Sequence, residues 1–307
     1  MKVKMHLNFI LDNDHTSLFF LSLPCAFILS GLNYIVILVV VVMLTNESVD
    51  KKSSFYIDEP PINTDIERFF TDYASIPALM LRDHLITVRD RSWQRHTYQC
   101  LGRWRFLFPS IKLNPIYREI LEKCKNEGET LIDFGCCLGQ DVRQLVYDGV
   151  PVEQIRGYEL DPFFIEQGYE LFRDRDVMEK NKVFATGSIL DDEFLNGIKP
   201  ADYVYVGSFI HLFDLKLQPD ICRRLTRFAK RAIVGRQAGA LVPAEHPRTW
   251  DSIGGKIMRH SPESLAQMWN EATNGAWKVE SATLQTINNM NDSHQGLIFV
   301  VRKQREQ

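Results

Sequence analysis

The pattern of apolar and polar positions changes abruptly within residues 130–145, Thr-Leu-Ile-Asp-Phe-Gly-Cys-Cys-Leu-Gly-Gln-Asp-Val-Arg-Gln-Leu. The first part is a short apolar run typical of a buried strand, and after residue 140 apolar residues recur at helical spacing. Gly135 and Gly139 lie between the two patterns, and glycine readily adopts the backbone of a tight turn. The pattern therefore predicts a strand, a glycine turn (residues 135–139) and a helix whose N-terminus faces a ligand.

The same alternation continues along the rest of the chain. Short apolar segments separated by amphipathic ones are typical of a parallel sheet covered by helices on both faces. The predicted strands are 130–134, 154–160, 182–186, 201–206, 231–236, 277–284 and 296–302, and the predicted helices are 64–74, 77–93, 114–125, 140–147, 163–173, 219–228 and 262–273. We expect an α/β fold with a Rossmann-like, seven-stranded, mostly parallel sheet and an N-terminal helical extension.

Composition divides the 307 residues into four segments. Residues 1–48 are hydrophobic, and residues 49–63 are a polar linker that contains two adjacent prolines. Residues 64–127 form a helical cap on the substrate side, and residues 128–307 form the α/β domain. A chain with 45% hydrophobic residues is long enough for one such domain with extensions.

The N-terminal segment allows three interpretations. Residues 16–46 contain no charged side chain, so residues 18–45 could span a bilayer as an anchor. The segment could instead be an over-extended gene model whose true start is Met43, or a buried hairpin or cleaved signal. Two lysines precede this segment and two follow it closely, so the distribution of positive charge predicts no orientation of a span in the membrane. We expect a cytoplasm-facing enzyme, with membrane anchoring through this segment as one option.

Charge and cysteine content narrow the functional class. A net charge of −3 argues against a general nucleic-acid binder and favours a small-molecule substrate. The six cysteines show no C-x-x-C pair and no zinc spacing, so we expect intracellular thiols and no metal site. Cys136 and Cys137 lie inside the glycine turn, where we interpret them as small residues that fill it, and a reactive thiol is the alternative.

Candidate ligand contacts follow the next two strands. Glu159 ends the second strand twenty residues after Gly139, where a carboxylate can accept hydrogen bonds from both ribose hydroxyls of a nucleoside. Asp161 is the alternative for this role, and a solvated acid at the strand end is the non-functional interpretation of Glu159. After the third strand, Ser188 and Ile189 suit the polar contact and the apolar floor of an adenine ring.

The fourth strand leads to the expected reacting end of the ligand. His211 follows it closely and could act as a general base, donate to the substrate, or only pack at the start of the next helix. An aromatic and basic cluster at residues 93–108 is either a helix packed on the domain or a wall over the substrate.

Four motifs carry a resemblance to a known family. They are Asp-Phe-Gly-Cys-Cys-Leu-Gly-Gln-Asp, Gly-Tyr-Glu-Leu-Asp-Pro-Phe-Phe-Ile, Ser-Phe-Ile-His-Leu-Phe-Asp and Ile-Val-Gly-Arg-Gln-Ala-Gly, at 133–141, 157–165, 208–214 and 233–239. In order and spacing, residues 65–303 resemble the seven-stranded, S-adenosylmethionine-dependent methyltransferases. The motifs are similar to those of fungal methyltransferases of secondary metabolism, some of which methylate a carboxyl group of a meroterpenoid intermediate.

The resemblance implies S-adenosylmethionine as the cofactor. It assigns Asp133 and Gly135 to the methionine part, Glu159 to the ribose, and Ser188 with Ile189 to the adenine. The remaining implied cofactor contacts are Cys137, Gly139, Leu160 and Ser208. The sequence departs from the family pattern at Cys137, which replaces a glycine, and at Ser188, where an aspartate is common.

We expect methyl transfer to the carboxyl group of a small apolar metabolite, as in terpenoid or meroterpenoid biosynthesis. Arg236, just after the fifth strand, could hold the carboxylate, and His211 could orient it. Methylation of a hydroxyl or nitrogen, a nicotinamide-dependent oxidoreductase, and a non-catalytic scaffold remain alternatives. An oxidoreductase would need G-x-G-x-x-G and a proton relay, which the sequence does not show. The oligomeric state remains open.

Overall fold

A seven-stranded sheet is the centre of the computed structural model of this chain. The structure describes residues 51–247, 255–289 and 292–304, all within one compact unit, Val49–Gln307. The strands are β1 (Leu131–Phe134), β2 (Ile155–Glu159), β3 (Phe184–Thr186), β4 (Ala201–Gly207), β5 (Ala229–Gly239), β6 (Ala244–Pro247), β7 (Lys256–Arg259), β8 (Trp277–Asn289) and β9 (Asp292–Lys303). The sheet has the order β3-β2-β1-β4-β5-β9-β8, whereas β6 and β7 form a separate hairpin.

The sheet is mostly parallel, so the predicted fold class is confirmed. Strands β1 to β5 pair in parallel, and β9 runs antiparallel to both β5 and β8. In register, Asp133 of β1 lies between Gly157 of β2 and Tyr205 of β4. The carboxyl ends of the central strands therefore meet at one edge of the sheet, which is where α/β sheets bind ligands.

Helices follow or precede these strands as the pattern predicts. They are α1 (Thr64–Ala74), α2 (Ala78–Arg95), α3 (Gln99–Gly102), α4 (Tyr117–Asn126), α5 (Gln140–Tyr147), α6 (Pro162–Phe172), α7 (Arg175–Lys180), α8 (Asp192–Asn196), α9 (Gln218–Thr226) and α10 (Pro262–Ala272). Side-chain caps begin four of them, because Asn63, Asp161, Asp191 and Ser261 each accept a hydrogen bond from a backbone N–H of the first turn. A proline at the first helical position follows Asp161 and Ser261.

Two apolar layers cover the two faces of the sheet. Successive residues of a strand point to opposite faces, so Val204 of β4 enters one layer and Tyr203 enters the other. The same alternation separates Ile233 from Ala232 on β5. Burial on both faces explains why the central strands are continuously apolar rather than alternating with polar residues.

A third apolar cluster lies in the cap. The guanidinium of Arg89 is fully buried between the rings of Tyr56 and Trp104, at 4.0 and 3.9 Å from the ring centroids. Arg89 and Trp104 both donate to the carbonyl of Ile57, at 2.7 and 2.8 Å. Residues 55–57, within the predicted linker, thus pack into the cap. Trp93 is buried in the same cluster, which agrees with the packing interpretation of residues 93–108.

The β6–β7 hairpin and the short helices α7 and α8 are differences from the prediction. Strand β6, Ala-Glu-His-Pro, has no β-branched or aromatic residue, and its pattern alone does not indicate a strand. It forms by antiparallel pairing with β7, the next strand along the chain. Helices of five or six residues are too short to show helical periodicity.

The predicted membrane localisation requires correction. Within residues 51–247, 255–289 and 292–304, no helix is both long and apolar enough to cross a membrane. This finding contradicts the option of membrane anchoring in the expected localisation. Residues 18–45, on which that expectation depended, lie outside the described residues, as does the proposed start at Met43.

Candidate active site

The glycine turn between β1 and α5 is tied to the neighbouring strand. The backbone N–H groups of Gly135 and Cys136 both donate to the carbonyl of Tyr158 in β2, at 2.8 and 3.1 Å. Gly135 and Gly139 have φ angles of +74° and +71°, and Cys137, which is not a glycine, has +51°. The left-handed backbone explains the two glycines and makes Cys137 the unusual residue of the turn.

The turn also lies against the end of β4. A Cβ atom on Gly135 would lie 2.4 Å from Cδ2 of Phe209, a distance that real side chains do not tolerate. The Phe209 ring therefore packs directly on the backbone of the turn. This close approach brings the segment after β4, with Ser208 and His211, next to the end of β1.

Glu159, at the end of β2, supports the turn directly. Its Oε2 accepts from the backbone N–H of Cys137 at 2.8 Å, and its Oε1 accepts from those of Leu160 and Asp161 at 2.8 and 3.2 Å. Burial raises the pKa of the Glu159 carboxyl, and these three hydrogen bonds oppose the increase. A carboxylate offers about four lone-pair sites, so acceptor capacity remains for a ligand hydroxyl.

The predicted adenine contacts follow β3, which pairs with β2 through Thr186 and Glu159. The hydroxyl of Ser188 accepts from the backbone N–H of Leu190 at 3.1 Å, and the side chain of Ile189 is buried in the core. Leu160 is 67% exposed and Leu190 is 44% exposed. Exposed leucines at two strand ends offer apolar surface to a flat ring. The sequence prediction did not include Leu190.

Three carboxyl groups influence one another near the turn. Burial first, and then the charges of Asp141 and Glu159, raise the pKa of Asp133. Burial also raises the pKa of Asp141 to about 6, although this side chain accepts hydrogen bonds from the backbone of Ile111 and from Gln140, at 2.8 and 2.9 Å. Mutual repulsion of buried acids favours a positively charged ligand. Sequence reasoning missed Asp141, whose signal is an acid in the first turn of the helix after the glycine turn.

Arg236 lies on the neighbouring strand β5. It pairs in register with Gly207 of β4, and its carbonyl accepts from the backbone N–H of Ser208 at 2.6 Å. The side chain is 8% exposed, and its Nε has no hydrogen-bond acceptor among the residues that the structure describes. Burial lowers the pKa of this guanidinium. A buried cation without an acceptor at this atom is suited to an anionic ligand.

A second arginine, Arg105 in the cap, lies near Arg236. Burial first, and then the charge of Arg236, lower the pKa of Arg105 to about 10. The two guanidiniums therefore repel each other in a region with little water. The sequence placed Arg105 in the aromatic and basic cluster but did not single it out, because its proximity to β5 depends on how the cap packs.

His211 is in a single turn of 3₁₀ helix, Ile210–Leu212, directly after β4. Its side chain is 9% exposed. Ser208, three residues before it, has a φ of +57°, so the chain leaves the strand by a sharp turn. The histidine is thus held between the end of the sheet and the following helix, beside the position of Phe209.

The structure therefore brings most predicted residues to one edge of the sheet. Asp133 and Glu159 end β1 and β2, Ser208 and His211 follow β4, and Arg236 lies near the end of β5. In the sheet order, β4 separates the acids of β1 and β2 from Arg236 of β5. Within the described residues, no group of three or more histidine, cysteine, aspartate or glutamate side chains is arranged to hold a metal ion.

A seven-stranded sheet with one antiparallel strand, a glycine turn after β1 and an acid at the end of β2 define the class of seven-stranded methyltransferases. Comparison with known proteins gives the family. Residues 55–107 match the meroterpenoid methyltransferase N-terminal domain. The chain is 32% identical over 221 residues to the O-methyltransferase phiE of a fungal species, with 69% of this chain and 73% of that protein covered. The chain belongs to this family of fungal methyltransferases.

Further relatives agree with this family. The chain is 37% identical over 219 residues to the O-methyltransferase atr3 of Stereocaulon alpinum, with 68% of this chain and 63% of the relative covered. It is 32% identical over 198 residues to the methyltransferase adrK of Penicillium roqueforti, with 63% and 68% covered. The chain thus spans about two thirds of the length of these relatives. The resemblance expected from the four motifs is confirmed.

Among solved structures, the magnesium protoporphyrin IX methyltransferase of Synechocystis matches with a TM-score of 0.44 and 11% identity, over 70% of this chain and 98% of that one.

Proposed function

We propose that this chain is an S-adenosylmethionine-dependent O-methyltransferase that converts the carboxyl group of a small apolar metabolite into a methyl ester. Two relatives carry the name O-methyltransferase, and the matching family model describes meroterpenoid methyltransferases. The acceptor class we propose is therefore an acidic terpenoid or meroterpenoid intermediate of fungal secondary metabolism.

The residues at the sheet edge fit the cofactor. Glu159 retains acceptor capacity for the ribose hydroxyls, and Asp133 with Gly135 would face the methionine part. When bound, the cofactor supplies an electrophilic methyl group on a positively charged sulfur. The acids Asp133, Asp141 and Glu159 would stabilise that positive charge. The other proposed cofactor contacts are Cys137, Gly139, Leu160, Ser188 and Ser208, with the exposed Leu190 in place of Ile189, whose side chain is buried in the core.

One observation carries the choice of a carboxyl acceptor. Arg236 is a buried cation with the partly buried Arg105 beside it, and Arg236 Nε has no acceptor among the described residues. A carboxylate would accept two parallel hydrogen bonds from a guanidinium and would relieve the repulsion between the two arginines. A neutral hydroxyl or amine would do neither.

The mechanism then needs little acid–base chemistry. A carboxylate is already an anionic nucleophile, so no residue has to remove a proton before the transfer. Arg236 would hold one end of the acceptor, and His211 would orient it beside the glycine turn. Alignment of this kind can replace a bimolecular encounter, with effective molarities of about 10⁵ M or more.

The test identifies which kind of atom in the acceptor receives the methyl group: a carboxyl oxygen, a hydroxyl oxygen or a nitrogen. The reduced full chain is incubated with methyl-labelled S-adenosylmethionine and an extract of acidic fungal metabolites, and the products are treated with mild alkali. A methyl ester releases labelled methanol, whereas a methyl ether or an N-methyl group keeps the label. We expect release. A label that stays bound after alkali would refute the carboxyl acceptor, and under that outcome His211 would be the candidate base for a hydroxyl.

Arg236→Gln tests the carboxylate contact separately. Loss of a charge-assisted, bidentate contact costs about 3 kcal/mol, so we expect kcat/KM for the acid to fall about 150-fold while cofactor affinity stays within threefold. The matched control is Arg231→Gln on the same strand, since that side chain is half-exposed and paired with Glu129. Equal activities of the two variants would contradict the proposed role of Arg236.

A further inference from the structure

Two thiols from different parts of the fold meet at the glycine turn. Cys137 is the middle residue of the turn, and Cys100 belongs to helix α3 of the cap. Both are partly exposed, whereas Cys124, Cys136 and Cys222 are buried. Among the cysteines that the structure describes, these two are therefore the least buried residues.

The two side chains are in contact. Cys100 and Cys137 pack against the same apolar cluster of the cap, beside Leu101 and Leu138. Each thiol is also the first influence on the pKa of the other, so the two sulfurs lie beside each other. Because a disulfide needs Cβ atoms about 3.5–4.5 Å apart, thiols already in contact require little movement to be bridged.

Their surroundings make the two thiols chemically different. The interaction with Cys137, and then the charge of Arg105, lower the pKa of the Cys100 thiol. The same interaction and burial raise the pKa of Cys137. Because a neighbouring arginine stabilises a thiolate, and Arg105 lies near Cys100, we assign the first attack to Cys100. Cys137 is placed as its resolving partner.

We propose that Cys100 and Cys137 form a redox-sensitive pair that hydrogen peroxide closes into a disulfide between the cap and the glycine turn. The Cys100 thiolate attacks one peroxide oxygen, the O–O bond breaks, and a sulfenic acid and hydroxide result. The Cys137 sulfur, which gives up its proton, then attacks the Cys100 sulfur, and the sulfenic oxygen leaves as water. In sum, two thiols and one peroxide give one disulfide and two waters, and a dithiol reductant reverses the change.

The disulfide would act on cofactor exchange, a consequence that rests on the proposed function. The backbone N–H of Cys137 donates to Glu159, the proposed ribose ligand, at 2.8 Å. A covalent link at this residue fixes the turn and holds the cap against it. The oxidised protein would therefore exchange S-adenosylmethionine more slowly than the reduced protein, and dithiothreitol would restore the rate.

The first measurement is the crosslink itself. The reduced full chain is treated with hydrogen peroxide, blocked with iodoacetamide, digested with trypsin without reduction, and analysed by mass spectrometry. We expect peptide 96–103, which contains Cys100, to be joined to peptide 126–143, which contains Cys136 and Cys137. The crosslink must be absent from Cys100→Ser and from Cys137→Ser. Its persistence in Cys137→Ser, or sulfinic acids in place of a crosslink in the unsubstituted chain, would overturn the proposal.

The second measurement uses binding rather than catalysis. In stopped-flow experiments, peroxide should lower the association rate constant of S-adenosylmethionine at least tenfold in the unsubstituted chain. It should leave Cys100→Ser, which carries no proposed ligand contact, within twofold. An unchanged rate after complete crosslinking would refute the effect on exchange. If the reduced chain binds no S-adenosylmethionine, the proposed function fails, and the peptide crosslink alone decides on the thiol pair.

Discussion

Replacement of Glu159 by glutamine separates its two roles. In the structure, Oε1 accepts from the backbone N–H groups of Leu160 and Asp161, and Oε2 accepts from that of Cys137. The glutamine oxygen would take the Oε1 position, where it keeps two hydrogen bonds. Its NH₂ group would then face the N–H of Cys137, so the tie to the glycine turn is lost together with the charge.

The magnitude follows from these contacts. Hydrogen bonds to a charged group contribute about 1.5–3 kcal/mol each, and an unsatisfied buried donor costs about 1–3 kcal/mol. We expect Glu159→Gln to weaken S-adenosylhomocysteine binding by about 3 kcal/mol, or roughly 150-fold in Kd. The control is Glu153→Gln at the opposite end of β2, since Glu153 is exposed and far from the turn.

The assay is isothermal titration calorimetry with two ligands. One ligand is S-adenosylhomocysteine, and the other is its 2′,3′-dideoxy analogue, which lacks both ribose hydroxyls. If Glu159 binds the ribose, the unsubstituted chain discriminates strongly between the ligands, and Glu159→Gln loses most of that discrimination. Undiminished discrimination in the variant would refute the ribose role, even if the stability of the variant had fallen.

The remaining predictions concern stability. Gly135→Ala should lower the free energy of unfolding in urea by about 2 kcal/mol or more, because it combines a φ of +74° with a Cβ 2.4 Å from the Phe209 ring. Gly128→Ala, at φ +72° with open space around its Cβ, should show the smaller backbone cost alone, and equal losses would contradict the clash. Burial lowers the pKa of His260 to about 4, so between pH 6.5 and 4 the unfolded chain binds the proton first and stability should fall by up to about 3 kcal/mol with decreasing pH. His260→Gln should flatten this part of the profile measured by urea unfolding, and an unchanged slope would show that other groups cause it.

The sheet was predictable because its signal is local. Strands β1 and β4 are short and mostly apolar, and the helices that follow β1, β2 and β4 (α5, α6 and α9) have helical spacing, so pattern alone located these elements. Glu159 was also accessible to sequence reasoning, because its distance from the glycine turn along the chain is fixed by one helix and one strand. The strand order and the single antiparallel strand agree with the expected class of fold.

The features that sequence reasoning missed depend on contacts between different elements. Strand β6 exists because β7 pairs with it, and neither segment has a strong strand composition. Arg105 comes close to Arg236 because of cap packing, which no periodicity encodes. Ile189 was expected as a floor for the adenine, and the structure places its side chain in the core while Leu190 is exposed. Which side chain of a short loop is exposed and which is buried cannot be predicted from the order of its residues.

The charges at the sheet edge suggest why transfer and release would be coupled under the proposed function. Asp133 and Glu159 lie at the ends of β1 and β2, where we propose the cationic cofactor, and Arg105 and Arg236 lie toward β5, where we propose the anionic acceptor. Methyl transfer from a sulfonium to a carboxylate removes both charges at once. Each product would then lose its electrostatic attraction to the charged side chains that bound the corresponding reactant. A site with acids and arginines separated in this way would therefore bind the reactants more strongly than the products, although the net charge of −3 reveals nothing of this separation.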